Sequence, residues 1–170
     1  AKAWPSIGFL ALLAACGLNG FSETTTVTAE VNLLTQSTQC GNKSSEASVE
    51  WIADGEAYAS AYNRTQQHIV GDASKPPLVD FARQGVIAVY MGRRPTAGYG
   101  LGLASRNAEV EERGVLTLVV SWIEPLADAV LAQVITSPCL LVSVPKGDYV
   151  TIQVVDGDGR VRALSASLDR

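Results

Sequence analysis

The sequence predicts an α+β fold, an antiparallel β-sheet of five to seven strands with one or two packed helices. After residue 84, short apolar runs alternate with turns rich in Gly, Pro and Asp, which is typical of antiparallel strands. One earlier segment has its apolar residues at helical spacing. The chain has 170 residues, 47% of them hydrophobic, which is enough for one domain with a sizeable core.

The first half of the predicted domain contains strands and the helix. Residues 21–39 are rich in Thr and Val and predict a strand, and "VEWIAD" (49–54) alternates as a second, short strand. Asp54 is suited to cap a helix over residues 55–67, in which Ala and Tyr recur at i and i+4. The prolines at 76 and 77 prevent the helix from continuing that far.

The second half reads as strands joined by turns. "GVIAVYMG" (85–92) is apolar throughout and predicts a central strand with both faces buried, with residues 99–105 and 114–125 as partners. Residues 125–133 fit either a helical turn or an extended crossover. Residues 139–164 predict two hairpins, and the second turn, at 156–159, also resembles the start of a calcium loop. Arg160 stands where a third oxygen ligand is needed, so a hairpin turn without metal is favoured.

The N-terminal residues resemble a bacterial lipoprotein signal. Lys2 precedes a short apolar run that ends in "LAAC" at Cys16, and the run is shorter than the about 20 residues that cross a bilayer. The resemblance implies a signal peptide at 1–15, a lipidated linker at 16–23 and a domain at 24–170. Acylated Cys16 would anchor the chain in the cell envelope, and Gly17 after it favours the outer membrane.

Cys40 and Cys139 remain as a pair if Cys16 carries lipid. An envelope compartment permits disulfides, so a bridge between the two is the natural interpretation. The alternatives are a nucleophilic Cys139 paired with His68, the only histidine, or a zinc site. The short spacings that zinc sites use are missing from the sequence.

Charge and motifs exclude several functions. The net charge of -4 and the 13 dispersed basic residues argue against nucleic acid as a partner. The Gly-containing stretch "MGRRPTAGYG" (91–100) lacks the Lys-Ser/Thr pair of a P-loop and precedes a strand, not a helix. It therefore predicts a structural hairpin, and the sequence indicates no cofactor. Arg93 and Arg94 are not needed for a turn. They are either a solvated pair or a site for a partner's carboxylates or phosphates.

Two motifs resemble the C-terminal domain of the protease complex subunit PrcB, which recurs in bacterial lipoproteins. The first is G-x-x-P-T-x-G-Y, matched by Gly92, Pro95, Thr96, Gly98 and Tyr99. The second is S-P-C followed by V-P-x-G-x-Y, over residues 137–139 and 144–149. The resemblance covers about residues 46–160 and implies an accessory, non-catalytic role. The expected partner is an envelope protein such as a peptidase, and the expected contact is the loop that contains Arg93, Arg94, Pro95, Thr96, Gly98 and Tyr99.

Two other functions stay open from the sequence. An envelope hydrolase would use carboxylates as acid and base, and the candidates are Glu111, Glu112, Glu124 and Asp80. A small-ligand-binding lipoprotein would use aromatic residues such as Trp51 and Trp122. A concave pocket with converging polar groups would favour either of these, whereas an exposed apolar patch would favour protein binding.

Overall fold

The structure is a computed structural model that describes residues 25–67, 71 and 74–168. The predicted signal peptide, the linker with Cys16, and His68 lie outside the described residues. The described part contains ten strands and one helix. They are β1 (Thr26–Glu30), β2 (Asn32–Ser37), β3 (Ser48–Ile52), α1 (Gly55–Gln66), β4 (Gln84–Tyr90), β5 (Gly100–Leu103), β6 (Asn107–Glu111), β7 (Val115–Ile123), β8 (Cys139–Pro145), β9 (Thr151–Val155) and β10 (Val161–Leu164).

The strands form two sheets, so the prediction of a single antiparallel sheet is wrong. A six-stranded sheet has the order β1-β6-β7-β9-β10, with β5 also paired to β7, and a four-stranded sheet has the order β2-β8-β4-β3. The larger sheet is mixed, because β7 and β9 run parallel. The predicted combination of sheet and helix is found in outline. Apolar alternation indicates which residues are extended, but it does not indicate which strands pair.

One extended segment passes from one sheet to the other. β1 pairs with β6 and β2 pairs with β8, and only Val31 separates β1 from β2. Val31 is completely buried, and its N–H donates to the Arg106 carbonyl at 2.7 Å. The predicted strand over residues 21–39 is therefore two strands that meet at a corner, which is one way that packed sheets share a strand.

The core has two parts, one on each face of the four-stranded sheet. Side chains of β4 and β8 such as Ile87 and Leu140 pack between the sheets against Leu116, Leu118 and Ile152 of the larger sheet. On the opposite face, α1 packs through Tyr58, Ala61 and Tyr62 against Val86, Ala88 and Tyr90. The order of layers is therefore sheet, sheet, helix.

The helix and the central strand confirm the corresponding predictions. Asp54 caps α1, since its Oδ1 accepts from the Ala57 amide at 2.9 Å. β4 lies between β3 and β8, and from Gly85 to Tyr90 every residue is buried. The predicted partners at 99–105 and 114–125 are wrong, because β5 and β7 belong to the other sheet. A strand that is covered by a sheet on one side and a helix on the other must be apolar on both faces, as its sequence is.

Only one of the two predicted hairpins is present. β9 and β10 pair antiparallel around the turn at 156–159, where Asp156 Oδ1 accepts from the amides of Asp158 and Arg160, both at 2.9 Å. Residues 145–148, in contrast, lead from β8 of one sheet to β9 of the other. The prediction of a first hairpin at these residues is therefore wrong. Residues 125–133 also cross between sheets and contain a single turn, with an Ala129 N–H to Leu126 carbonyl bond of 3.1 Å.

Candidate partner-binding surface

The loop of residues 92–98 connects the two sheets and is not the predicted hairpin. It follows β4 of the four-stranded sheet and precedes β5 of the six-stranded sheet. Gly92 and Gly98 have φ of 86° and 91°, a region that side chains disfavour. A Cβ on Gly92 would also lie 2.7 Å from the backbone of Ser45. Glycine at 92 is thus required by the close approach of two backbones.

Backbone and side-chain hydrogen bonds hold this loop to two other segments. The Arg93 N–H donates to the Ser44 carbonyl at 2.7 Å. Arg94 and Thr136 exchange both backbone bonds, at 2.8 and 2.9 Å. The Thr136 hydroxyl in turn donates to the Thr96 carbonyl at 3.0 Å. The loop therefore has one fixed arrangement between residues 41–47 and the 124–136 segment.

A disulfide anchors the base of this region. Cys40 and Cys139 are bridged with an S–S distance of 2.03 Å, and both are buried, with exposures of 1% and 0%. The amides of Cys40 and Gly41 both donate to the Ser137 hydroxyl at 3.0 Å. The predicted bridge is confirmed, and with Cys139 committed to it, neither the Cys139–His68 couple nor the zinc site applies in this structure.

The structure separates the two neighbouring arginines. The Arg94 guanidinium turns inward and donates to the carbonyls of Met91, at 2.8 Å, and Ser45, at 3.3 Å. Its Cζ lies 5.8 Å from the centroid of the Tyr99 ring, within the range of a cation–π contact. Its Nε is buried with no hydrogen-bond partner among the described residues. Arg94 therefore shapes the loop, whereas the neighbouring Arg93 is exposed.

Arg93 lines a shallow concave surface in which polar residues surround Pro95 and Ile135. Lys43, Ser45, Arg93, Arg94, Pro95 and Ile135 line it, and its cavity volume is about 400 Å³. The 124–136 segment continues this surface with exposed apolar side chains. These are Leu126, Val130, Val134 and Ile135, with exposures of 78, 102, 46 and 54%. Exposed apolar side chains that are concentrated in one segment are typical of protein-binding surfaces.

Sequence reasoning missed the contribution of the 124–136 segment. Its apolar residues follow neither the period of a strand nor that of a helix. Apolar residues without a regular period were the sequence feature that could have indicated an exposed apolar segment. The segment packs against the loop 92–98: a Cβ on Gly98 would lie 3.1 Å from Pro125 and 3.3 Å from Leu131. The expected loop and an unexpected apolar segment thus form one surface.

The carboxylates of the hydrolase hypothesis are divided: Glu111 and Glu112 line one surface pocket, whereas Glu124 and Asp80 are not among the residues that line it. Glu112 and Glu124 flank the nine residues of β7, which at about 3.3 Å per residue separates them by more than 25 Å. Asp80 accepts from Arg83 Nε at 2.7 Å, and the hydrogen bonds from Arg83 and the Ala82 amide lower the pKa of its carboxyl group. Glu111 forms an ion pair with Arg113. Paired acid–base catalysis would need two carboxyl groups about 5 to 10 Å apart.

The two tryptophans of the ligand-binding hypothesis are engaged in packing. Trp51 meets Tyr149 edge to face, with ring centroids 5.8 Å apart, and its ring covers Gly85 so closely that a Cβ there would overlap it. Trp122 Nε1 donates to Glu124 at 3.0 Å, and Arg162 lies 5.1 Å over its ring. Within the described ranges, three or more His, Cys, Asp or Glu residues nowhere group as metal ligands would.

Comparison with known proteins identifies one family. Residues 86–145 match the family described as PrcB C-terminal, which confirms the resemblance over this part of the predicted range of 46–160. The matched residues contain both the loop and the 124–136 segment. No curated protein and no solved structure matches the chain. Among the residues that the structure describes, no helix combines the length and the apolar character needed to span a membrane.

Proposed function

From the match of residues 86–145 to the PrcB C-terminal family, we propose that this chain is a non-catalytic accessory subunit that binds an envelope protein of a protease complex. The observation that carries the proposal is the set of exposed apolar side chains in the 124–136 segment, which is hydrogen-bonded to the loop 92–98 and lies with it within the matched residues. A surface for protein binding needs apolar area surrounded by polar groups, and Arg93 and Lys43 supply such groups here.

The rigidity of the loop supports this role. The Arg94 guanidinium, the backbone pairing with Thr136 and the Gly92 contact hold the loop in one arrangement before any partner arrives. A preorganised loop loses less conformational entropy on binding than a flexible one, so more of its contact energy appears as affinity.

We further propose that acylated Cys16 anchors the chain in the cell envelope, in the outer membrane. The support is the sequence around it, in which a positive residue and a short apolar run precede "LAAC". An anchored accessory subunit would hold its peptidase partner at the membrane surface.

Replacing Cys16 with Ser should release the protein from membranes and leave the fold unchanged, because the described strands begin at Thr26. The measurement is the distribution of the protein between membrane and soluble fractions, with circular dichroism of the released form. Retention of the Ser variant in membranes would contradict the anchor.

Replacing Arg93 with Ala should weaken capture of the partner. If Arg93 pairs with a buried carboxylate, the loss is about 2 kcal/mol or more, roughly 30-fold in affinity. The free energy of unfolding should change by less than about 0.5 kcal/mol, because the side chain is exposed. The measurement is the affinity of the purified domain for the peptidase that copurifies with it from envelope extract.

Arg106→Ala is the matched control, because Arg106 is exposed and forms no salt bridge among the described residues. It should leave the affinity unchanged. Arg94→Ala is unsuitable as a test of contact, because it also removes the bonds to Met91 and Ser45. Equal affinities for the Arg93 and Arg106 variants would mean that the partner binds elsewhere.

A further inference from the structure

Three arginines without a carboxylate partner among the described residues lie around Lys43. The described residues include eight arginines, and four of them form ion pairs with carboxylates: Arg83, Arg113, Arg160 and Arg162. The other four form none. They are Arg64, Arg93, Arg94 and Arg106. All of these except Arg106 line two concave surfaces that share Lys43. A concentration of unpaired cations is notable in a chain of net charge -4.

The second of these surfaces lies between α1 and the loop 41–47. Arg64 reaches from the last turn of α1, and its Nη2 donates to the Tyr90 hydroxyl at 2.9 Å. Asn42, Lys43 and Ser48 complete the lining around a cavity of about 330 Å³. Burial raises the pKa of Tyr90, against the opposing effect of Arg64, so the phenol stays protonated at neutral pH. Its proton is therefore available for a ligand oxygen while its oxygen accepts from Arg64.

Lys43 joins the two surfaces into one. It lines the cavity at Arg64 and the cavity at Arg93, and it is exposed on the loop 41–47 between them. This loop is held at Cys40 by the disulfide and at Ser44 by the bond from the Arg93 amide. We call the continuous area around Lys43, Arg64 and Arg93 the basic surface.

We propose that the basic surface binds an extended acidic segment of the partner protein, with carboxylates at Arg64 and Arg93 and an apolar side chain against Pro95 and Ile135. This inference rests on the proposed function and names the chemistry of the partner. Guanidinium groups bind carboxylates through paired, charge-assisted hydrogen bonds. Glu50 is the carboxylate of this chain whose charge acts on Tyr90, and it forms no ion pair with either arginine. The guanidinium of Arg64, which contacts Tyr90, therefore has no carboxylate partner among the described residues.

A protein segment fits this surface better than an anionic membrane does. The cations line two shallow recesses, and the apolar Pro95 and Ile135 line one of them beside Arg93. A side chain of a protein segment can enter such a recess, whereas a layer of lipid headgroups presents only charge there. A single small anion would leave the apolar wall at Pro95 and Ile135 without a partner.

The test uses labelled peptides that repeat Glu-Leu, with Gln-Leu and Lys-Leu peptides of the same length for comparison. Fluorescence anisotropy should show binding of the Glu peptide alone, and the affinity should fall as salt rises. The double variant Lys43→Glu/Arg93→Glu should bind about tenfold or more weakly. The control Lys146→Glu/Arg106→Glu makes the same change of net charge at exposed positions outside the basic surface and should stay within about twofold of the unchanged protein.

Three results would overturn the inference. The first is equal binding of the Gln and Glu peptides, which would remove the role of charge. The second is displacement of the peptide by inorganic phosphate at equal concentration, which would indicate a simple anion site. The third is binding to phosphatidylglycerol vesicles with the same dependence on Lys43 and Arg93, which would indicate a membrane surface. If the acidic peptide fails while capture of the peptidase still depends on Arg93, the inference is wrong and the proposed function stands.

Discussion

Replacing Cys40 and Cys139 together with Ala is expected to lower the free energy of unfolding by about 4 to 5 kcal/mol. The bridge joins positions 99 residues apart, so it removes much conformational freedom from the unfolded chain. Both sulfurs are buried, and their loss also leaves unfilled space in the core. The measurement is urea denaturation of the double variant and of the oxidised protein.

The loop 41–47 should also become mobile in the double variant, which would weaken binding at the basic surface.

The unchanged protein under reducing conditions serves as the control, because it lacks the bridge but keeps both sulfur atoms. Its loss of stability should approach that of the double variant. Non-reducing peptide mapping of the folded protein should find the linked peptides. Two freely alkylated thiols, or a loss below about 1 kcal/mol, would show that the bridge does not stabilise this domain.

Replacing Gly92 with Ala is expected to cost about 3 kcal/mol of stability. The residue has φ of 86°, and a Cβ would lie 2.7 Å from the Ser45 backbone and 2.8 Å from the Glu46 carbonyl oxygen. These are backbone atoms, so the contact cannot be relieved by rotating a side chain. The loops 92–98 and 41–47 must then separate, and the Arg93 amide would lose its bond to Ser44. Thermal and urea denaturation would measure the loss.

Gly159→Ala is the matched control for this substitution. Gly159 has φ of 76°, but a Cβ there would meet no atom within 4 Å. It should cost only the backbone strain of a side chain in the left-handed region, about 1 to 2 kcal/mol. The difference between the two variants isolates the contact with residues 45 and 46. Equal losses would show that the loops move apart without cost.

Several features of this protein follow from the sequence by itself because they depend on neighbours along the chain. The Asp54 cap and the spacing of Ala and Tyr determine the helix, since hydrogen bonds within α1 join residues four apart. The uninterrupted apolar run of β4 determines that both its faces are buried. The disulfide was predictable because only two cysteines remained once Cys16 was assigned to lipid. The resemblance of residues 86–145 to the PrcB C-terminal family was predictable from Gly92, Pro95 and Gly98 in their fixed order.

The pairing of strands was decided only by the tertiary structure. Residues 92–98 and 145–148 have the composition of hairpin turns, yet each joins strands of different sheets. Local alternation of apolar residues predicts which side chains are buried, but a strand can bury the same side chains in either sheet. Which strands pair depends on hydrogen bonds between segments that are distant in the sequence. For the same reason, no local pattern predicted that Arg94 turns inward to Met91 while Arg93 stays exposed. The meeting of Arg64 with Lys43 likewise exists only because α1 and the disulfide-anchored loop pack on the same sheet.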